Sequence, residues 1–369
     1  MVEGPRVALL HDWLTGQRGG ERVLESFCEL YPPAPLYTLI HVPHSVSPLI
    51  ESRKIVTSFL NRIPGIGTNY RKFLPLMPRA AESLRIEPET EVVLSSSSCV
   101  IKGVPKPLRA VHLSYIHSPM RYMYDQFDLY FGKQASLPIR LGARFFRRSI
   151  TEWDLASNRN VDLMIANSTF VRERIRRFYQ RDAEVIHAFV DFSEFEFLPL
   201  SPRKEEYFIV VSAFAPNKRV DLAIEAFNEL KLPLRIIGSG QQERLLRAMA
   251  GPTVSFLGNL PRRQLIQQLA GARALVFPGV EDFGITPLEA LRAGTPVIAY
   301  KAGGVLDSLT EEDTLFFHEP TTPSLTAAVR NFSRFSPRID RERLKQFSKE
   351  RFQEKIKSLV EYARVQFKP

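Results

Sequence analysis

Residues 274–299 read ALVFPGVEDFGITPLEALRAGTPVIA. The run Ala274–Phe277 is wholly apolar, as expected of a strand buried on both faces. Pro278 and Gly279 stop it. Pro287–Arg292 has helical spacing, with Pro287 suited to the first helical position and Thr286 to the cap. Gly294 and Pro296 end that helix, and Val297–Ala299 is apolar again. Strand, loop, helix and strand in so short a stretch is the unit of a parallel sheet.

The same alternation extends outward. Tyr207–Phe214, Leu234–Ile237 and Val254–Leu257 read as strands, and Val220–Leu230, Gln241–Met249 and Arg262–Ala270 as helices. Nearer the N-terminus, Val7–Leu10, Glu91–Leu94, Ala110–Ile116 and Leu163–Ala166 read as strands, with Glu21–Leu30 as a helix. Asp191–Glu206 has no clean period and holds Pro199 and Pro202, so the domain boundary is expected there. The reading is α/β, with two Rossmann-like doubly wound domains facing a deep cleft. A ligand is expected between the carboxyl ends of the two sheets. The domains are expected at 1–195 and 196–349. Arg341–Phe367 should form one or two helices, with about 350–369 packing back on the first domain.

The bulk numbers narrow the choices. A chain of 369 residues suits two domains. Hydrophobic residues at 44% and charged residues at 24% give ordinary globular composition, against disorder or coiled coil. Cys28 and Cys99 make no disulfide framework, and no Cys/His spacing suggests zinc. MVEGPRVALLHDWL is too short an apolar run for a signal peptide, and no run of about 18 apolar residues occurs. A cytoplasmic location is expected. Lys and Arg total 50 against 40 Asp and Glu, a net charge of +10 that asks for an anionic partner. Two stretches hold basic residues and no acid. Ser52–Ala81 has Arg53, Lys54, Arg62, Arg71, Lys72 and Arg79; Leu129–Thr151 has Lys133, Arg140, Arg144, Arg147 and Arg148.

Four constellations carry chemistry. Thr15–Glu21, with Gly16, Gly19 and Gly20, follows the first strand and opens a helix. Backbone N–H groups there suit a phosphate, although such turns also serve structure alone. Ser212–Arg219 ends in Lys218 and Arg219, cations for a diphosphate or simply a solvated basic turn. Glu281 and Glu289 stand eight positions apart, split between a loop and the following helix. Gly284 frees that loop, and the amides near Ile285 and Thr286 face an anion. Helix capping accounts for Glu289 but not for Glu281. His117, in Tyr115–Asp125, ends a strand before Pro119; His11, Asp12 and Trp13 form a similar strand-end group. Asp282-Phe283-Gly284 lacks the other kinase signatures, and Gly238-Ser-Gly240 is a lone turn.

Together these residues resemble the retaining glycosyltransferases of the GT-B fold, specifically family 4. Glu281 and Glu289 match that family's E-x7-E pattern, and Gly19-Gly20-Glu21 its N-terminal glycine loop. Pro75–Pro78, Ser95–Ser98, Lys102–Val104, Tyr115–Asp125, Asn167-Ser168 and Val190-Asp191 resemble a subgroup acting in surface-polysaccharide assembly. The resemblance implies that Glu289 binds the ribose hydroxyls of a nucleotide. Glu281 holds the donor sugar, with Asp282 and the amides of Phe283 and Gly284. Lys218, Gly19, Gly20 and the amides at Ile285 and Thr286 hold the diphosphate. His117 contacts the sugar near the reacting carbon. Many members have an arginine where this chain has Ala213, and Arg219 is the nearby substitute.

The implied activity moves a hexose, with retention, from GDP-mannose or a UDP-hexose such as UDP-glucose to a saccharide acceptor. That acceptor is expected to be lipid-linked. No cofactor beyond the donor is implied, and with no D-x-D triplet no metal is expected. If the two acid-free stretches form helices, they would face an anionic membrane surface, placing the protein on the inner face of the membrane. No nucleic-acid motif is present. The rival readings are a GT-B epimerase or phosphorylase, or a dinucleotide-dependent oxidoreductase, which wants a G-x-G-x-x-G that neither half supplies convincingly.

Overall fold

A computed structural model of the chain describes residues 5–132, 136–199 and 202–367. Lys133 of the second basic stretch lies outside the described residues, as do residues 1–4, 200–201 and 368–369. The chain forms two units, residues 1–188 with 352–369, and residues 189–351.

The first unit holds a seven-stranded, all-parallel sheet. Its strands are β1 (Val7–Leu14), β2 (Leu36–His41), β3 (Ile55–Thr57), β4 (Val92–Ser97), β5 (Val111–Ile116), β6 (Leu163–Ala166) and β7 (Glu184–Val185). They lie in the order β3-β2-β1-β4-β5-β6-β7. The second unit holds β8 (Phe208–Val211), β9 (Leu234–Ile237), β10 (Val254–Gly258), β11 (Leu275–Phe277), β12 (Val297–Tyr300) and β13 (Thr314–Phe317), again all parallel. Its order is β10-β9-β8-β11-β12-β13. Each unit is thus a Rossmann-like, doubly wound sheet. In each, the strand order reverses at one point, between β1 and β4 and between β8 and β11. In sheets of this kind a ligand binds at the carboxyl ends of the strands flanking that point.

Several elements differ from the sequence reading. β2, β3, β7 and β13 are additional. β1 runs on to Leu14 because His11 and Asp12 are buried in the sheet rather than ending it. The strand expected to reach Phe214 stops at Val211, where the chain turns into a loop that lies against Gly240. The helix after β11 starts at Ile285, and its cap is Gly284 at φ +91°, not Thr286. Ser52–Ala81 is no continuous helix but a strand followed by short helical turns, interrupted at Pro64. Leu137–Ser157 is one long helix.

The unit boundaries fall a few residues from those expected, at 188/189 and 351/352 rather than 195/196 and 349/350. Phe189–Phe195 goes with the second unit because its backbone and side-chain contacts do. Val190 bridges Ser348, Asp191 pairs with Lys349 at 2.8 Å, and Phe195 lies under the Arg262 guanidinium. The last helix, Lys349–Gln366, crosses the second boundary. Its Phe352 stacks on Phe27, ring centroids 6.1 Å apart, and meets Tyr115 edge-on at 5.6 Å. Each such fully buried ring contributes roughly 1.5–3 kcal/mol of burial energy.

Candidate functional site

In the second unit the candidate residues gather at the switch point. Lys218 lies in the loop after β8 and Glu281 in the loop after β11, and Lys218 Nζ donates to Glu281 Oε1. Gly279 lets the two loops meet, since a Cβ there would lie 2.6 Å from the Asn217 carbonyl and 2.8 Å from Lys218 Cα. Glu281 is also fixed by its backbone, which bridges Gly303 and accepts from Gly304 N–H at 2.8 Å. Phe283 is buried against Phe347, so its side chain is closed to a ligand. Gly284 then caps the helix. Its left-handed φ is unfavourable for other residues, and a Cβ would meet Val305 Cγ1 at 2.7 Å. The amides of Ile285 and Thr286 open the helix at its positive end.

Glu289, one turn on, is buried and accepts from Arg262 Nη2 at 2.8 Å. The same guanidinium binds Glu194 at 2.6 Å. Burial opposes the charge on Arg262, and the two carboxylates more than restore it, Glu289 first. Arg262 is a participant that the sequence reading missed. The signal was only its place at the first turn of the helix after β10. Arg219 has left-handed backbone at φ +51°, and its guanidinium bonds to Asp221 at 3.2 Å and to the Pro320 carbonyl at 3.5 Å. Ala213 presents a carbonyl to Ala215 N–H. Gly238 and Gly240 serve packing, since Cβ atoms there would strike the backbone of Ser212 and Phe214.

In the first unit the candidates again stand where the strand order reverses. The helix after β1 begins at Gly19. A Cβ on Gly20 would lie 3.4 Å from His11 Cε1 and 3.6 Å from His117 Nε2, so both histidines border the glycine turn. His117, just past β5, keeps partial exposure. Its backbone is held by Ser97 O at 2.8 Å and by Asn167 Nδ2 at 3.1 Å. Burial of the ring, with His11 beside it, pushes His117 down to about 3. Ser96 Oγ lies 2.7 Å from His117 Nε2 and 3.1 Å from His11 Nδ1.

Neighbouring residues have structural work. Asp12 accepts four backbone amides from the turn after β4, those of Ser98, Cys99, Val100 and Ile101, at 2.6–2.9 Å. Lys102 is buried with Asp154, Nζ to Oδ1 2.6 Å, and Tyr124 donates to the same carboxylate at 2.7 Å. Among the described residues no three His, Cys, Asp or Glu side chains gather as ion ligands, and no helix is long and apolar enough to cross a membrane.

The family Glycosyl transferases group 1 matches residues 191–351, nearly the whole second unit. The human protein named alpha-1,3/1,6-mannosyltransferase ALG2 is 26% identical over 257 residues, 60% of this chain and 59% of that protein. A GDP-mannose-dependent monoacylated alpha-(1-6)-phosphatidylinositol monomannoside mannosyltransferase of Corynebacterium glutamicum is 35% identical over 115 residues, 27% of this chain and 30% of that one. This chain therefore spans less than two thirds of the length of these relatives. Among solved structures, a sucrose-phosphate synthase from Thermosynechococcus elongatus superposes with a TM-score of 0.72 at 18% identity, covering 98% of this chain and 100% of that one. The two units have the GT-B fold, and residues 191–351 match the glycosyl transferases group 1 family.

Proposed function

We propose that the protein is a hexosyltransferase that moves a sugar from a nucleoside diphosphate to a saccharide acceptor, with retention of configuration and without a metal. The observation that carries this is the Lys218–Glu281 ion pair at the switch point of the second sheet, with Glu289 eight positions further on. Glu289 takes the ribose hydroxyls, and Arg262 holds its carboxylate in place. Lys218 and the amides of Ile285 and Thr286 meet the diphosphate. Glu281 and His117 meet the sugar, and Gly19 and Gly20 the diphosphate. Cleavage of the sugar–phosphate bond builds charge on the leaving diphosphate. Fixed donors aimed at that charge lower the barrier, each worth about 2.7–4 kcal/mol. With Arg219 bound to Asp221, Lys218 is the principal side-chain cation of this group.

The donor is GDP-mannose. Support comes from the relatives whose names specify mannosyl transfer, one of them naming GDP-mannose. A thermal-shift panel of GDP- and UDP-sugars tests the reading. At about 100 Kd the donor adds roughly 2.7 kcal/mol of stability. Stabilisation by GDP-mannose is expected. A larger response to a UDP-hexose would replace the donor, and no response to any nucleotide sugar would overturn the function.

The acceptor is lipid-linked, at an anionic membrane surface on the inner face of the cell membrane. Support comes from the helix Leu137–Ser157, which exposes Leu137, Leu141 and Phe145 along one face, the last at 79%. Arg144 and Arg148 are exposed on the same helix. A cationic and apolar face of this kind suits a headgroup boundary. Arg147 is not part of it: its guanidinium donates to the Met123 and Tyr124 carbonyls, both at 2.9 Å, and lies over Phe127. Binding to anionic vesicles should fall with salt and with Arg144→Glu and Arg148→Glu. Equal binding to neutral vesicles would remove this part of the reading.

A further inference from the structure

Four side chains stand in a row in the first unit. The Glu21 carboxylate has one oxygen fixed by the N–H of Arg18 at 3.0 Å, and the other lies 3.7 Å from His11 Nε2. His11 Nδ1 is 3.1 Å from Ser96 Oγ, and Ser96 Oγ is 2.7 Å from His117 Nε2. The sheet builds this row. His11 of β1 is directly opposite Ser96 of β4, and Ser96 is opposite Tyr115 of β5. His117 lies two residues past Tyr115, on the same face. Ser95, one position back, serves the other face, where its hydroxyl meets His112 at 2.8 Å and Ser114 at 2.7 Å.

We infer that Glu21, His11 and Ser96 are positioning residues that hold His117 as its Nε2–H tautomer, leaving Nδ1 as a bare acceptor. Burial works against the Glu21 charge, but His11 and Arg18 keep its carboxyl below the ordinary value, so it is ionised and only accepts. While His11 carries one proton, that proton sits on Nε2, facing the carboxylate. His11 Nδ1 is then an acceptor and takes the Ser96 hydroxyl hydrogen. The Ser96 oxygen accepts in turn from His117 Nε2–H. A neutral imidazole has one proton, so His117 Nδ1 offers a lone pair. Among the described residues that nitrogen has no hydrogen-bond partner.

A lone pair selects its ligand by chemistry. It accepts from a sugar hydroxyl and repels an ionised phosphate oxygen. This last step rests on the function proposed above: His117 meets the transferred sugar rather than the diphosphate.

The tautomer is read directly by long-range proton–nitrogen correlation on protein labelled with nitrogen-15 at histidine, at about pH 8.5 where an ordinary histidine is neutral. His117→Gln identifies the signals. The expected pattern is a protonated Nε2 and an unprotonated Nδ1 at residue 117. In Ser96→Ala the two nitrogen shifts should move toward each other, and Ser96→Thr should restore them. Glu21→Gln, at the start of a surface helix, should give the same convergence and serves if Ser96→Ala fails to fold. A protonated Nδ1 in the unaltered protein, or a pattern unmoved by Ser96→Ala and Glu21→Gln, overturns the inference. No donor or acceptor sugar is needed, so this result and the nucleotide-sugar panel fail independently.

Discussion

Lys218 and Glu281 are bonded to each other across the point where the second sheet reverses its strand order. A diphosphate arriving there competes with the carboxylate for the lysine. Glu281→Gln should therefore tighten binding of the nucleoside diphosphate alone while weakening turnover of the nucleotide sugar. Lys218→Ala should weaken both and cut turnover about 10²–10³-fold. Calorimetric titration with GDP and GDP-mannose separates the two. Weaker GDP binding in Glu281→Gln would mean that the carboxylate does not restrain the lysine.

Glu289 and Arg262 make a distinguishable prediction. Glu289→Ala removes the proposed ribose contact but leaves Lys218 and the helix amides. It should weaken GDP binding at least tenfold, about 1.4 kcal/mol, and leave inorganic pyrophosphate binding unchanged. Equal loss for both ligands would place Glu289 on the diphosphate instead.

Two glycines separate fold from site. Gly284→Ala forces a side chain into a left-handed backbone and against Val305, and should lower stability by about 1–3 kcal/mol in urea unfolding. Gly20→Ala meets its nearest neighbours only at 3.4–3.6 Å, so stability should hold while the added methyl fills the space beside His11 and His117. Normal activity in Gly20→Ala would show that no ligand uses that space.

Acid should act through a histidine far from the chemistry. His112 is fully buried, with Nδ1 2.8 Å from the Asn160 carbonyl, and burial pushes it down to about 4. The unfolded chain takes up that proton near pH 6.5, so it binds protons that the fold refuses. Stability thus falls as pH drops from about 6.5 to about 4, by about 3 kcal/mol from this group at 1.36 kcal/mol per pH unit. His112→Gln should make that limb shallower in urea unfolding at neutral and acid pH, His117 supplying part of what remains. An unchanged limb would assign acid lability elsewhere.

The buried pair Lys102–Asp154 should behave as a unit. Removing one partner leaves an uncompensated charge, so Lys102→Met or Asp154→Leu alone should cost about 3–5 kcal/mol. The double variant should cost much less than the sum, as a double-mutant cycle in urea would reveal.

What could be read in sequence divides by physical cause. Helix Val220–Leu230 and strands Leu234–Ile237 and Leu163–Ala166 have the bounds their patterns predict, because continuous apolar runs and helical spacing are local signals. β7 is two residues long, and β2 follows a proline-rich turn, so neither shows a period. At the site, Lys218, Glu281 and Glu289 were visible as charges beside glycines. Ser96, Arg262 and the role of Asp12 were not, because their partners lie 85, 27 and about 86–89 positions away in the chain. The four serines Ser95–Ser98 lie beyond Leu94, where the strand was expected to end. The first three are buried strand, with alternate hydroxyls serving opposite faces of the sheet.

The crossing of Phe352 back to Phe27 and Tyr115 sets an order of events during synthesis. Residues 189–351 are contiguous and can fold as soon as they leave the ribosome. The unit begun first has to wait, its aromatic core missing one ring, until the helix from Lys349 has been made.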